Sequence, residues 1–303
     1  MLCLRALGKM ESKIMSSTVL DETVDVICEK YGERLRWITV ERLAVGVFFT
    51  AVKLSCGSGG ISYTPAIEIH SDPGPPPFNM DPPRRFKGMP VVEVLASREN
   101  SILFRTIRLV VMNALAAGPL GQGERYQVVE GPDVLDLIDL DRVRRIAMVG
   151  AIVPFIRRLK DFPGVELKVI EKKSNTLTED TGHFCAPLEQ TQQALAECDL
   201  AIITGAAVAN GTIDSLLEWT SPNASTLVVG PTASFVPDAL FSRGVAIVSG
   251  VMVSDPDRAV DMVSEGALAY HLFHECVKKV SCINPNRMNG PLCIARGFQN
   301  TGR

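Results

Sequence analysis

Aromatic side chains make up only 6% of this chain, and no basic run is interleaved with them. Stacking on single-stranded nucleic acid needs both, so that class of partner is excluded. A net charge of −3 gives no broad attraction to polyanions. No apolar run reaches the roughly 18 residues needed to span a bilayer. The longest, Leu43 to Val52, reads as a buried strand, so no membrane partner is expected. Eight cysteines are scattered without any C-x-x-C pair. Residues Met1 to Ser16 lack a long apolar core and a cleavage site, so no signal peptide is expected. Reduced thiols and a cytoplasmic location follow from that reading. A phosphate-binding P-loop is also missing: no Gly-Lys-Ser/Thr follows the Gly-rich stretch Cys56 to Gly60.

What is present is an ordinary globular composition, 46% apolar and 21% charged over 303 residues. That length allows two domains. Val19 to Tyr31 has helical spacing. Arg42 to Leu54 reads as one long strand, Cys56 to Gly60 as a hairpin turn, and Ile61 to Thr64 as the returning strand. A Pro-dense stretch, Ser71 to Pro90, reads as an excursion. Ser101 to Ala117 is a helix, stopped by Gly118 to Gly123.

Residues 126–143 form a linker between a domain at 17–125 and a second at 144–281. In the second, short strands and helices alternate. Arg145–Val149, Val165–Ile170, Leu200–Ile203, Thr226–Val229 and Val245–Val248 are strands, which predicts a parallel sheet. Asp257 to Lys279 reads as one long final helix, with Asp255 as N-cap and Pro256 at its first position. Residues 282–303 read as an irregular tail.

Three of these strands stop at a glycine beside a hydroxyl. The stops are Thr204-Gly205, Gly230-Pro231-Thr232 and Ser249-Gly250, and Asn210-Gly211-Thr212 opens a helix between the first two. In an open parallel sheet such stops share the edge where ligands bind. Their groups suit a polar small molecule or the oxygen ligands of a hard cation. The bland reading of Asn210 and Thr212 is helix capping. Met148-Val149-Gly150 ends the first strand, and Glu171 follows the second, where an acidic side chain would meet ribose hydroxyls. Of the G-x-G-x-x-G pattern only Gly150 is present, and Pro154 removes a donor.

Further candidates are weaker. His271, His274 and Cys276 lie on the predicted last helix, with His183 and Cys185 in a loop. A tetrahedral zinc site would need ligands from elsewhere as well. Asp180, Asp214 and Asp255 join Glu171 as carboxylates at predicted edge loops. Cys56 sits in the Gly-rich turn with nothing nearby in sequence to activate it. No nucleophile and base pair is evident, so catalytic residues stay unassigned.

The motifs Met148-Val149-Gly150, Ile203-Thr204-Gly205 to Asn210-Gly211-Thr212, Val229-Gly230-Pro231-Thr232 and Val248-Ser249-Gly250 with Asp255-Pro256 resemble those of the putative heavy-metal chelation domain family. The resemblance covers roughly Val19 to Val280. It implies an α/β protein: an α+β domain similar to the enolase N-terminal fold, then a Rossmann-like parallel-sheet domain, with a cleft between them. The expected function is binding of a metal ion, or a metal-binding small molecule, in that cleft. The ligand-binding residues would be Gly150, Glu171, Thr204, Gly205, Asn210, Thr212, Gly230, Thr232 and Ser249, and the cofactor a divalent or transition metal ion. The alternative is a Rossmann-type enzyme using NAD(P) or S-adenosylmethionine. A homo-oligomer joined through the sheet edge and last helix is the non-catalytic reading.

Overall fold

Eight strands make the main sheet, and six of them run parallel as the alternation of short strands and helices predicts. The computed structural model describes residues 17–71, 86–99, 101–121, 126–172 and 180–287. The N-terminal segment, most of the Pro-dense stretch and the tail beyond 287, with Cys293, lie outside them.

Helix α1 (Val19–Tyr31) starts at Thr18, whose side chain accepts the Asp21 N–H. The expected long strand over Arg42–Leu54 is instead two, β1 (Val40–Val45) and β2 (Phe49–Leu54), paired antiparallel. The Gly46 N–H bonds the Phe49 carbonyl across the turn between them. Strand β3 (Gly59–Tyr63) pairs antiparallel with β2 and completes a three-stranded sheet. Gly59 and Gly60 therefore belong to a strand, not to the turn. The reason is packing: a Cβ on Gly60 would sit 2.2 Å from the Val110 carbonyl oxygen. Glycine lets a helix lie directly on the strand.

Two short helices, α2 (Ala66–Ser71) and α3 (Val91–Ala96), precede that long helix, α4 (Ile102–Gly121). It runs past Ala117 and through Pro119, although Gly118 to Gly123 read as a stop. Pro119 has no N–H for the Leu115 carbonyl, and the Tyr31 hydroxyl donates to that carbonyl instead, at 2.6 Å. The lost helical bond is replaced from outside. By length and apolarity α4 could cross a bilayer. Here every residue from Thr106 to Ala116 is buried, as in a core helix.

The main sheet has the order β4-β11-β10-β9-β8-β5-β6-β7. Strand β4 (Gln127–Glu130), within the expected linker, forms one edge. Then come β5 (Arg145–Val149), α5 (Val153–Leu159), β6 (Glu166–Ile170) and β7 (Cys185–Ala186). Helix α6 (Thr191–Glu197), β8 (Leu200–Thr204), α7 (Ala206–Ala209), α8 (Ile213–Trp219) and β9 (Ser225–Val229) follow. Helix α9 (Asp238–Ser242) leads to β10 (Ile247–Val253).

The expected helix over Asp257–Lys279 breaks into α10 (Pro256–Ser264), α11 (Ala269–Glu275) and strand β11 (Val277–Ile283). The chain turns through Gly266 at φ +80°. Val277, Val280 and Ile283 are then buried by antiparallel pairing with β10. Cys282, assigned to an irregular tail, lies in this strand.

Side chains alternate across the main sheet, as a strand's period of two requires. Ile146, Met148, Ile202 and Leu227 pack with Phe155 and Ile156 of α5 on one face. Ala147, Ala201, Ile203 and Val228 face the other way and join a core that includes Leu109 and Val110 of α4. That core is continuous between the N-terminal layer and the main sheet.

Candidate functional site

Parallel strands bring their carboxyl ends to one edge. Here they line up in the order β6, β5, β8, β9, β10, carrying Glu171, Gly150, Thr204, Gly230 and Ser249. Four strand spacings make this edge roughly 19 Å long. A cleft of about 1080 Å³ follows it, with Phe49, Tyr63 and Glu68 of the N-terminal layer closing over. That volume is at the upper end for small-molecule sites, roughly 300–1000 Å³. Eight of the nine residues expected to bind ligand line this one cleft: Gly150, Glu171, Thr204, Asn210, Thr212, Gly230, Thr232 and Ser249. The ninth, Gly205, is buried beneath them, where a Cβ would lie 2.9 Å from the Ala233 nitrogen.

The strand-end glycines do not offer their N–H groups to a ligand. Gly150 donates to Ile170 O at 2.8 Å, Gly205 to Val229 O at 2.7 Å and Gly230 to Ser249 O at 2.8 Å. Each bond reaches the neighbouring strand and extends the sheet by one residue. What Gly150 contributes is shape. It holds φ +87°, and a Cβ there would lie 2.5 Å from Cγ2 of Thr204. The turn after β5 can thus pass against the end of β8.

The hydroxyls are largely committed as well. Thr232, 1% exposed, accepts the Tyr63 N–H at 3.1 Å. Ser249 accepts from Ser281 at 3.0 Å, and Thr204 from the Ala206 N–H at 3.4 Å. Ser249 does not end its strand: the parallel ladder with β9 stops there, while β10 continues against β11. Thr212 holds the N-cap position of α8, yet its side chain makes no capping bond. Its hydroxyl reaches back to Ala207 O at 3.4 Å. Asn210 does not cap either. Its Oδ1 is buried in the cleft wall and has no hydrogen-bond partner among the described residues.

Of the four candidate carboxylates only Glu171 lines the cleft, and its Oε2 accepts the Ala151 N–H at 2.8 Å. Asp214 anchors α1 through the Val19 N–H at 3.0 Å and pairs with Arg243 at 3.3 Å. Asp255 caps α10 as expected, accepting the Arg258 N–H. Asp180 pairs with Lys160 at 3.5 Å.

Glu68, Asp133 and Glu189 also line the cleft, against the cations Lys172 and Lys279. Lys279 is paired with Asp133 at 2.9 Å. Among the described residues the lining therefore carries more carboxylate than cation, and neither Cys nor His.

The metal-ligand candidates do not converge. Among the described residues no three His, Cys, Asp or Glu side chains come together as a metal cage. His271 Nδ1 accepts the Leu268 N–H at 3.0 Å at the start of α11. Cys276 is 1% exposed in a core with Leu272 and Val277, and burial pushes its thiol up to about 11. His183 lies against Phe184, with ring centroids 3.9 Å apart and planes tilted by 40°, beside the exposed Cys185. Cys56 is exposed and free. Soft metal ions prefer thiolate and imidazole, so the cleft's oxygen donors do not fit a heavy-metal cage built by protein alone.

Some contributors carry little sequence signal. Trp219 and Phe273, 38% and 36% exposed, line the mouth of the cleft from α8 and α11. Nothing local distinguishes them from other amphipathic-helix residues. Asn113 did carry a signal, as an amide amid the apolar residues of α4. Its Nδ2 donates to Ile61 O at 2.7 Å and Pro231 O at 3.1 Å, fixing the loop after β9 beneath the small sheet.

Fold and site together define an α/β protein with a ligand-sized cleft at its strand ends, covered by a small antiparallel sheet. Residues 133–282 match the family model DUF364 and residues 28–116 match DUF4213, both described as putative heavy-metal chelation. The chain belongs to this family. An uncharacterised protein of Methanocaldococcus jannaschii is 27% identical over 162 residues, 52% of this chain. The match spans 58% of that protein's own length.

Two crystal structures of DUF364-family proteins of unknown function share the fold. One, from Pyrococcus horikoshii, has a TM-score of 0.68 at 20% identity, covering 88% of this chain and all of that one. The other, from Desulfitobacterium hafniense, has a TM-score of 0.61 at 19% identity, covering 84% and 98%.

Proposed function

We propose that this protein binds a small organic molecule in the strand-end cleft, and that any metal ion arrives carried by that molecule. The observation behind this is the lining. A cleft of about 1080 Å³ with a Gly150–Thr204 floor and the Asn210 amide, lined among the described residues by four carboxylates and no Cys or His, suits an organic ligand. The family's description supplies the metal half of the reading.

The fold supports the same view. Ordered from the edge, the parallel strands run β7-β6-β5-β8-β9-β10, so the order in which strands are added reverses between β5 and β8. That order supports a Rossmann-like reading of residues 144–281, whose ligands sit at this reversal. A three-stranded antiparallel sheet followed by helices supports the enolase N-terminal-like reading of residues 17–125. A dinucleotide-dependent enzyme draws no support from the family's description.

The test is native mass spectrometry with elemental analysis on protein purified without chelator. The expected result is metal content that follows a bound organic species and leaves with it. Stoichiometric metal held with no organic partner would overturn the proposal, as would a rise in melting temperature with zinc, copper or magnesium ions alone.

A further inference from the structure

We infer that this protein forms a two-fold dimer through an apolar surface around the cleft mouth, so that a second copy walls that mouth. This goes beyond the ligand reading above and does not depend on it.

Among the described residues ten large apolar side chains are exposed, and seven of them come from three short stretches. Val45, Val47 and Phe48 lie at the β1–β2 turn, Ile67 on α2, and Leu268, Tyr270 and Phe273 at α11. Val47, Ile67 and Tyr270 are 65%, 62% and 63% exposed. The three stretches adjoin. A Cβ on Gly46 would lie 2.4 Å from the Val263 carbonyl oxygen, so the β1–β2 turn rests on the end of α10. Ala267 and Ala269, at the start of α11, pack against the same core as Phe49 and Val263. The Phe48 carbonyl accepts the Thr64 N–H at 2.9 Å, which sets α2 beside the turn. Phe49, Glu68 and Phe273, from these same three places, line the cleft.

The size of this surface fits a second copy. A fully open large side chain presents roughly 150–250 Å². At exposures of 36–65%, the seven together present on the order of 700 Å². The largest apolar patch on an ordinary monomer is roughly 300–600 Å². A stable interface takes about 800 Å² from each partner, so this patch supplies most of one side.

Charge points to the same occupant. Neither Val45–Phe48 nor Ala267–Tyr270 holds a charged residue. Two copies of such a surface meet about a two-fold axis without like-charge repulsion. A lipid surface instead calls for lysine or arginine around the apolar face. Arg42 and Lys53 of the same small sheet are tied to carboxylates of α10. The edges of the main sheet offer a partner less: β7 is two residues long, and β4 is four, with Gln127 and Glu130 exposed. Because the patch flanks the cleft mouth, a partner seated on it lies beside the ligand's way in.

The test is sedimentation velocity on the whole chain from about 1 to 100 μM, a range in which interfaces of this size associate. The expected result is a dimer at the upper end. Val47→Glu and Tyr270→Glu each bury a charge in the contact and should weaken association at least about tenfold. Both positions are exposed in the single chain, so both variants should keep the wild-type circular dichroism spectrum. Trp37→Glu is the control. Trp37 is 83% exposed, but it precedes β1, at the far end of that strand from Val45, roughly 17 Å away. This variant should dimerise as wild type does. On the wild-type protein, dilution should speed hydrogen exchange around residues 45–48 and 267–273 and leave that around Trp37 unchanged.

A monomer throughout that range would overturn the inference. So would a dimer that survives both Val47→Glu and Tyr270→Glu, or one that Trp37→Glu abolishes. Each of these results leaves the small-molecule function standing, because native mass spectrometry reads the cleft's occupant in monomer and dimer alike.

Discussion

The backbone N–H of Tyr63, the last residue of β3, donates to Oγ1 of Thr232, in the loop after β9, at 3.1 Å. One hydrogen bond thus joins the small sheet to the floor of the cleft, beside the Asn113 amide that bridges Ile61 and Pro231. The cleft's width depends on this joint, because Tyr63 lines it from one side and Thr232 from the other.

Thr232→Val keeps the shape of the buried side chain and removes the acceptor. It should destabilise the protein by about 1–2 kcal/mol, the usual consequence of withdrawing one partner from a part-buried bond. Thr232→Ser keeps the oxygen and should retain most of the stability. Urea unfolding of the three proteins checks this. A Thr232→Val protein within about 0.5 kcal/mol of wild type, the scatter of an ordinary surface change, would show that the joint carries no weight.

Gly150→Ala should be worse than a typical glycine replacement. Position 150 holds φ +87°, and the new Cβ would come within 2.5 Å of Thr204 Cγ2 and 2.8 Å of its Cβ. Left-handed strain and overpacking together should cost roughly 2–4 kcal/mol. Adding Thr204→Ser removes the nearer of the two atoms, so the double variant should regain part of the loss. Full additivity of the two substitutions in a double-mutant cycle would mean that they do not meet.

The strand-end site was legible because its signals are local. Gly150, Thr204, Gly230 and Ser249 each sit at the end of an apolar run, and parallel strands place such ends on one edge. The final helix was misread because Val277–Ile283 needs β10 beside it to be a strand; alone, its apolar residues suit either period. Likewise Pro119 ends a helix in isolation, and only the distant Tyr31 hydroxyl allows α4 to continue. Gly59-Gly60 looks like a turn until α4 is laid across it. In each case a partner far along the chain decided the outcome.

The Tyr31 bond also predicts a pH dependence. Burial, with a smaller effect from Cys56, pushes the Tyr31 phenol up from its ordinary 10.0 to about 12. The unfolded chain therefore ionises first. The phenol's contribution to stability is complete below pH 10 and is lost as pH rises from 10 towards 12. Tyr31→Phe should lower stability at neutral pH by about 1 kcal/mol, because the Leu115 carbonyl loses its donor. It should also flatten the decline above pH 10. Parallel alkaline declines for wild type and Tyr31→Phe, followed by urea unfolding, would refute the assignment.

Thiol accessibility separates ligand-borne metal from adventitious metal. Cys56 and Cys185 are exposed, whereas Cys198, Cys276 and Cys282 are buried, with thiols pushed by burial up to about 11, 11 and 12. Alkylation of the native protein, mapped by peptide mass spectrometry, should modify Cys56 and Cys185 within minutes and spare the three buried thiols until denaturant is added. Neither exposed thiol lines the cleft. Heavy-metal uptake that disappears after native alkylation therefore reports whichever thiols the peptide map shows modified. Uptake that survives alkylation but falls with Glu171→Gln reports the cleft. Rapid native labelling of Cys276 would contradict its burial beneath α11 and reopen His271, His274 and Cys276 as a metal-binding set.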